Sequence, residues 1–312
     1  DIDRDTLNLS LEAVEEAIGP KTKAIICQHT FGIPAAAEEL RRLCDARNIV
    51  LIEDCAHIIP DAKGPKEIGR FGDAIILSFG RDKAISGVVG GAVLCRRPEL
   101  AEAMAAKEAR AKDLSWWTVA RLLEYPQIYA LCRPLYGSII GKVLLALLGK
   151  LKILVPILSS EEKHSRMSPV LHRMPNACAY LAVRQFASLQ RINDHRRVLT
   201  AFYLAQMRSM GIVVPSAVGS DLPLQKFPVF VPMAPKIRRS LKKQNIHLDD
   251  GWTGCVVCPA TVHIDETGYQ KGLDPEAEAV CEGILSLPTH PGMTMDQAKR
   301  LVRVLQSAMA TL

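Results

Sequence analysis

The sequence predicts an α/β protein, with a mostly parallel sheet covered by helices on both faces and a smaller α+β part after it. Three observations carry that prediction. Short continuous apolar runs alternate with segments of helical periodicity through the first hundred residues. Polar residues gather just past the ends of those runs, where open α/β sheets bind ligands. The composition is that of an ordinary globular chain: 312 residues, 48% hydrophobic and 23% charged. That length allows one large or two medium domains, and the composition excludes disordered and collagen-like chains.

Leu9 to Ile18 places Leu11, Val14, Ala17 and Ile18 at helical spacing, with Ser10 as N-cap and Gly19-Pro20 as the stop. Lys23 to Cys27 reads as a buried strand. A helix from about Ala35 to Arg47 carries Leu40, Leu43 and Cys44 on one face. Ile49 to Ile52, Ala74 to Leu77 and Gly90 to Cys95 are three more strands, the last followed by a helix from Pro98. Further on, helices are expected over Asn176 to Arg191 and Asp194 to Met210, with Asn193 as a cap. The last part mixes a strand (Lys226 to Val231) with helices (Pro235 to Gln244, Asp274 to Leu285, Thr294 to Met309).

Nine cysteines at irregular spacing do not form a disulfide framework, and a reducing, cytoplasmic setting fits them better. Cys255-Val256-Val257-Cys258 is a lone CxxC with no second ligand pair nearby, so it reads as two buried thiols in a strand-like setting, and no metal is expected. The chain starts at Asp1 with no Met and no apolar leader, which reads as a fragment.

The chemistry lies at three strand ends. The first runs into Gln28-His29-Thr30-Phe31-Gly32, the second into Glu53-Asp54-Cys55-Ala56-His57, and the third into Ser78-Phe79-Gly80-Arg81-Asp82-Lys83, with Gly87 and Gly90-Gly91 behind it. A carboxylate, an imidazole, a hydroxyl and an amine would converge on one crevice. That set suits pyridoxal phosphate (PLP), which needs a lysine for its aldehyde and a carboxylate beside its ring nitrogen. The lysine must lose its proton to attack, so a crowded, partly desolvated site is required.

The ordered set Glu53-Asp54-x-x-His57, Ser78-Phe79-x-x-x-Lys83 and Gly90-Gly91 resembles the DegT/StrS family of sugar aminotransferases. So do Phe31-Gly32-Ile33-Pro34 upstream, and Arg173-Met174-Pro175-Asn176 and Leu285-Ser286-Leu287-Pro288 downstream. The resemblance implies the PLP fold-type I architecture, and it assigns roles. Lys83 would join the cofactor's aldehyde and later shuttle a proton. Asp54 would hold the pyridine nitrogen protonated, and Ser78 would bind the phosphate. His57 would touch the ring or its 3′ oxygen, Asn176 would reach the neighbouring subunit's site in a homodimer, and His29 would lie near the ring or the substrate. The substrates implied are an amino-acid donor, glutamate by resemblance, and a nucleotide-linked keto-sugar of cell-surface glycan or secondary-metabolite synthesis.

Rival readings are a sugar dehydratase of the same fold and a non-catalytic, membrane-associated protein that retains it. Dehydratase relatives carry His where this chain has Lys83, which argues against the first. The matched pocket residues argue against the second. Taken alone, Lys83 would read as a loop lysine, Ser78 as a buried hydroxyl, His57 and His29 as core histidines, and Asn176 as a helix cap. Two departures stand out. Ala177-Cys178 replaces the arginine that relatives place shortly after the asparagine. The chain also begins at the family's Asp-Ile-Asp segment, without the phosphate-binding helix start and stacking aromatic that precede it. Residues 1–312 alone are therefore expected to bind PLP weakly.

The resemblance divides the chain into a partial cofactor-binding part (1–111), an insert (112–173) and a C-terminal small domain with a dimer helix (174–312). Between Leu100 and Met174 lie eleven Lys/Arg against six Asp/Glu, nearly the whole net charge of +6. Trp116-Trp117, Tyr125, Tyr129 and Tyr136 accompany Arg121 and Arg133 there. Ser138 to Val155 reads as a basic amphipathic helix. Ser138, Gly141, Lys142, Leu145, Gly149, Lys150 and Lys152 gather on one side, with Ile140, Val143, Leu144, Leu147, Leu148, Leu151, Leu154 and Val155 on the other. Its lysines argue against a span, which needs about 20 apolar residues. A helix lying in an anionic membrane interface, on the inner face, is the favoured reading. Packing on the protein or a dimer mate is the alternative. The mild charge does not call for nucleic acid.

Overall fold

The computed structural model describes every residue except Gly137, Ser138, Lys152, Asp249, Asp250 and Leu312. Ser138 and Lys152, two of the positions expected on the basic helix face, therefore lie outside the described residues. A short antiparallel pair, β1 (Ile2–Asp3) and β2 (Asn8–Leu9), opens the chain. Helix α1 (Leu11–Ala17) follows, with Ser10 Oγ accepting from the Ala13 amide at 3.3 Å, as its position as N-cap predicts.

The main sheet is built from β3 (Ala24–Gln28), β4 (Val50–Asp54), β5 (Ala74–Ser78) and β6 (Gly91–Cys95), in that spatial order. The first three are parallel and β6 is antiparallel to β5. Helix α2 (Ala37–Arg47), ended by Asn48 in the left-handed conformation, packs Ala37, Leu40 and Cys44 against Ile25, Cys27 and Leu51 on one face. The opposite face is more open, and Ile26 is 58% exposed on it. Strand alternation sends Gln28, Asp54 and Ser78 to this second face at the strands' carboxyl ends.

After α3 (Pro98–Arg110), α4 (Trp116–Cys132) and α5 (Ile139–Lys150) pack against each other, followed by α6 (Ser160–Lys163). Helix α5 is shorter than its apolar pattern predicts, because the chain beyond Lys150 turns back onto the protein. Arg121 Nε donates to the Ile153 carbonyl at 3.1 Å, and Arg81 Nη2 to that of Val155 at 2.7 Å. Lys142 is likewise drawn to the protein, with Nζ donating to Asn245 Oδ1 at 2.7 Å. Most of the aliphatic face stays exposed, with Ile139 at 78%. Among the described residues, no helix is long and apolar enough to cross a membrane.

Helices α7 (Asn176–Phe186) and α8 (Leu189–Ser209) break at Ala187-Ser188, not near Asn193. Asn193 is not a cap. It lies buried inside α8, where its amide donates to the Ile59 carbonyl at 3.1 Å and Asp61 Oδ2 at 2.9 Å. A second core surrounds β7 (Lys226–Phe230) and β8 (Ile284–Pro288), an antiparallel pair flanked by α8, α9 (Ala234–Lys243), α10 (Pro275–Gly283) and α11 (Met295–Ala310). The helix expected to reach Leu285 ends at Gly283, and the next five residues form β8. Leu285 and Leu287 alternate into the core there, opposite Val229 and Phe227. Residues 251–260 around the CxxC are irregular, and Cys255 and Cys258 are half-buried in a cavity wall, so neither the strand-like setting nor full burial is found.

The loop from β5 to β6 is clamped against α7. Gln185 Oε1 accepts from the Ser86 amide at 2.9 Å while its Nε2 donates to the Ser86 carbonyl at 2.7 Å. Gly87 lies where a Cβ would meet the Cys178 carbonyl oxygen at 2.5 Å and Met174 Cε at 2.9 Å. Gly87→Ala is therefore expected to lower stability by about 1–3 kcal/mol in urea denaturation, since the backbone oxygen cannot move aside cheaply. An unchanged midpoint contradicts this close packing.

Candidate active site

Three predicted residues line one cavity of about 540 Å³: Asp54 from the end of β4, His57 from the turn after it, and Lys83 from the loop after β5. Asp54 is fixed from both sides. Its Oδ1 accepts from the Ala56 amide at 2.8 Å, and its Oδ2 from Gln28 Nε2 at 3.3 Å. His57 Nδ1 accepts from the Phe31 amide at 3.1 Å, and the two rings lie near-parallel, with centroids 6.1 Å apart. Phe31 has a positive φ of 56°, a costly conformation for an aromatic residue. Gln225, whose amide donates to the Phe31 carbonyl at 2.8 Å, helps to hold it.

Lys83 is half-buried, and its Nζ has no hydrogen-bond or ion-pair partner among the described residues. Gln225 positions its loop, with Nε2 donating to the Asp82 carbonyl at 2.7 Å. Gln28 and Gln225, which bond Asp54 and the Lys83 loop, are positions that the sequence reading did not single out. Gln28 could have been found, since it is the parallel register partner of Asp54. Gln225 carries no local signal.

Ser78, Asn176 and His29 are not among the residues lining this cavity. Ser78 shares the sheet face of Asp54, and its hydroxyl has no partner among the described residues. Asn176 is exposed at the first turn of α7, which also exposes Tyr180, Val183 and Phe186. Pro175 takes the N-cap position, so Asn176 does not cap the helix.

His29 is fully buried on the far side of the sheet, so the structure does not place it near the ring or substrate. Its Nδ1 accepts from the Ala35 amide at 3.1 Å, which leaves Nε2 to donate to Glu53 Oε2 at 3.0 Å. Glu53 is equally buried and also accepts from the amides of Gly69 (2.7 Å), Phe71 (2.6 Å) and Gly72 (2.5 Å). Burial pushes this carboxyl up, but the His29 and backbone hydrogen bonds prevail and hold it below its ordinary range. Cys55 brings its sulfur within 4.8 Å of the ligand atoms of His29 and Glu53. Burial raises the Cys55 thiol far above neutral pH, and both Glu53 oxygens are already occupied, so the trio is a structural network.

The donor set fits PLP at one end. An unpartnered amine, an oriented carboxylate and a ring-stacking imidazole share a cavity large enough for the cofactor's ring. A larger cavity of about 770 Å³, between β6, α3 and Met174, is lined by Gly90 and Gly91 but by none of Lys83, Asp54, His57, Ser78, Asn176 and His29.

The sequence model of the DegT/DnrJ/EryC1/StrS aminotransferase family matches residues 1–116 and 159–306, leaving 117–158 and 307–312 unmatched. A GDP-perosamine synthase from Vibrio cholerae is 39% identical over 94 residues, 30% of this chain and 26% of that protein. The chain thus aligns with about a quarter of that curated relative. DesV of S. venezuelae is similar in structure, with a TM-score of 0.67 and 25% identity over 98% of this chain and 70% of that one. NtdA from Bacillus subtilis, solved with bound cofactor PMP, has a TM-score of 0.66 and 19% identity over 99% of this chain and 62% of that one. At that identity the likeness bears on the fold, which is that of the PLP fold-type I sugar aminotransferases.

Proposed function

The chain belongs to the DegT/DnrJ/EryC1/StrS aminotransferase family, and on that premise we propose that it transfers an amino group from an amino acid to a keto-sugar with PLP as cofactor. The observation that carries this reading is the convergence of Lys83, Asp54 and His57 on one cavity. PLP, when bound, supplies an aldehyde that takes up the amino group and a cationic ring that draws electrons from the substrate carbon. Lys83 Nζ would hold the aldehyde end of the cofactor and would carry the proton to and from the substrate's Cα. Asp54, oriented by Gln28 and Ala56, would hold the ring nitrogen. Ser78 would serve the phosphate from the same sheet face. Glutamate as donor and a nucleotide-linked keto-sugar as acceptor are the favoured substrates. The Vibrio cholerae relative, a GDP-perosamine synthase, supports the nucleotide.

The exposed Tyr180, Val183 and Phe186 beside Asn176 support a homodimer in which Asn176 serves the partner's site. In assays of PLP-loaded protein, glutamate should yield its oxo acid in step with sugar amination. A protein that binds both substrates but releases no oxo acid contradicts the reading.

For residues 112–173 we favour an interfacial role. Ile139, Ile140, Val143 and Leu147 are exposed, as are Trp116 (68%), Trp117 and Lys150. This apolar face suits the acyl boundary of an anionic bilayer. Wild-type protein is expected to float with phosphatidylserine vesicles, and the combined Ile140→Asp, Val143→Asp, Leu147→Asp variant to stay at the bottom. Equal flotation discards membrane contact.

A further inference from the structure

The loop that carries Lys83 is gripped at Arg81, two residues before it, by the segment 117–158 that lies outside the family match. Arg81 Nη2 donates to the Val155 carbonyl at 2.7 Å, and its guanidinium carbon lies 3.8 Å from the centre of the Tyr125 ring. Tyr125 belongs to α4, and Val155 to the stretch that turns back after α5. Arg121, one helical turn before Tyr125, donates through Nε to the Ile153 carbonyl at 3.1 Å and ties those two pieces together. Arg81, Tyr125 and Val155 are all half-buried. A charge-assisted hydrogen bond and a cation–π contact both gain strength when partly desolvated. Burial indeed holds the Arg81 guanidinium below its ordinary value. Arg81 has no ion pair among the described residues, so these two contacts set its place.

The same segment reaches a second position. Tyr136, just past α4, meets the His247 ring edge-on with centroids 5.6 Å apart, and Lys142 Nζ donates to Asn245 Oδ1 at 2.7 Å. Arg81, His247 and Lys83 line one cavity of about 410 Å³, and Lys83 and Gln225 line the Asp54 cavity as well. The segment therefore touches two of the residues that share a cavity with the reactive amine. Further along the Lys83 loop, Gln225 holds the Asp82 carbonyl and Gln185 holds Ser86. Arg81 is the anchor on the β5 side, and it follows Gly80, whose backbone has no side chain to restrain it.

We infer that Arg81 is a positioning residue for Lys83, held in place from outside its own loop by Tyr125 and Val155. The inference rests on the reading of Lys83 as the amine-transfer residue. A reacting group must be kept within a fraction of an ångström of its productive place, and small displacements cost large factors in rate. Residues 117–158 thereby have an inward task at the active site as well as an outward apolar face.

The test uses the full chain, with amide hydrogen exchange on the cofactor-free protein and borohydride trapping at graded PLP concentrations. Tyr125→Leu is the key variant, because it leaves the sequence of the Lys83 loop intact. It is expected to speed exchange over residues 79–87 at least about tenfold, with β7 and β8 exchanging as in the wild type. The PLP concentration that half-saturates trapping at Lys83 should rise about tenfold. Arg81→Met should do at least as much, and adding Tyr125→Leu to it should change nothing further, since the contact is already lost. Tyr125→Phe keeps the ring under the guanidinium and should trap PLP as the wild type does. Equal exchange and equal trapping in Tyr125→Leu and wild type overturn the inference. So does a uniform rise in exchange through every strand, which marks a contact that serves only the fold. Trapping that ignores Tyr125→Leu sinks the Arg81 role alone, whereas a wild type that never traps PLP at Lys83 removes the amine-transfer reading and the positioning role with it.

Discussion

Lys83→Ala is expected to lower transamination by at least about 10⁴-fold, because the residue that joins the cofactor and moves the proton is lost in one step. Stability should change by less than about 0.5 kcal/mol, since Lys83 Nζ holds no hydrogen bond or ion pair among the described residues. That separation is the informative part. The Lys83 loop is held by the Gln225 and Gln185 hydrogen bonds and by Gly87 packing, none of which involves the lysine side chain. Oxo-acid release and urea midpoints measured together check both halves. A variant that unfolds early, or retains a tenth of the activity, contradicts the role assigned to Lys83.

Glu53→Gln is expected to cost about 3–5 kcal/mol in urea denaturation at neutral pH, as in breaking a buried charged network. Four N–H donors converge on the two Glu53 oxygens. An amide presents an NH₂ to two of those donors and leaves them unsatisfied. The loss should be global, because this network ties the β3 and β4 ends to the turn before β5. The pH dependence follows from the depressed carboxyl. Its folded value lies below its unfolded value, so its contribution is fully present above the ordinary carboxylate range. The contribution disappears as pH falls through the lower, folded value, roughly from pH 5 downward. The wild type should therefore lose stability on acidification while Glu53→Gln changes less. A loss below 1 kcal/mol, or equal acid sensitivity in both proteins, contradicts this account of the network.

Much of the site was legible because strands report their own geometry. Apolar runs ending in polar residues located Asp54 and Lys83 at neighbouring strand ends, and the family resemblance fixed their roles as expectations. The same period of two contained the correction to His29. Gln28 and Asp54 share one face, so His29, next in the chain, points with Cys27 and Glu53 to the other. The strand at 284–288 was hidden because an apolar run after a helix reads as more helix, and only the partner Lys226–Phe230 makes it a ladder. Asn193 looked like a cap because its tertiary acceptors, Ile59 and Asp61, lie far away in sequence.

The central claim is that Lys83 and Asp54 form a PLP site, and borohydride reduction of the PLP-saturated full chain tests it most directly. Peptide mapping by mass spectrometry should find the reduced pyridoxyl group on Lys83, absent in Lys83→Ala and strongly reduced in Asp54→Ala. Label spread over other lysines, or equal labelling in all three proteins, would contradict the account.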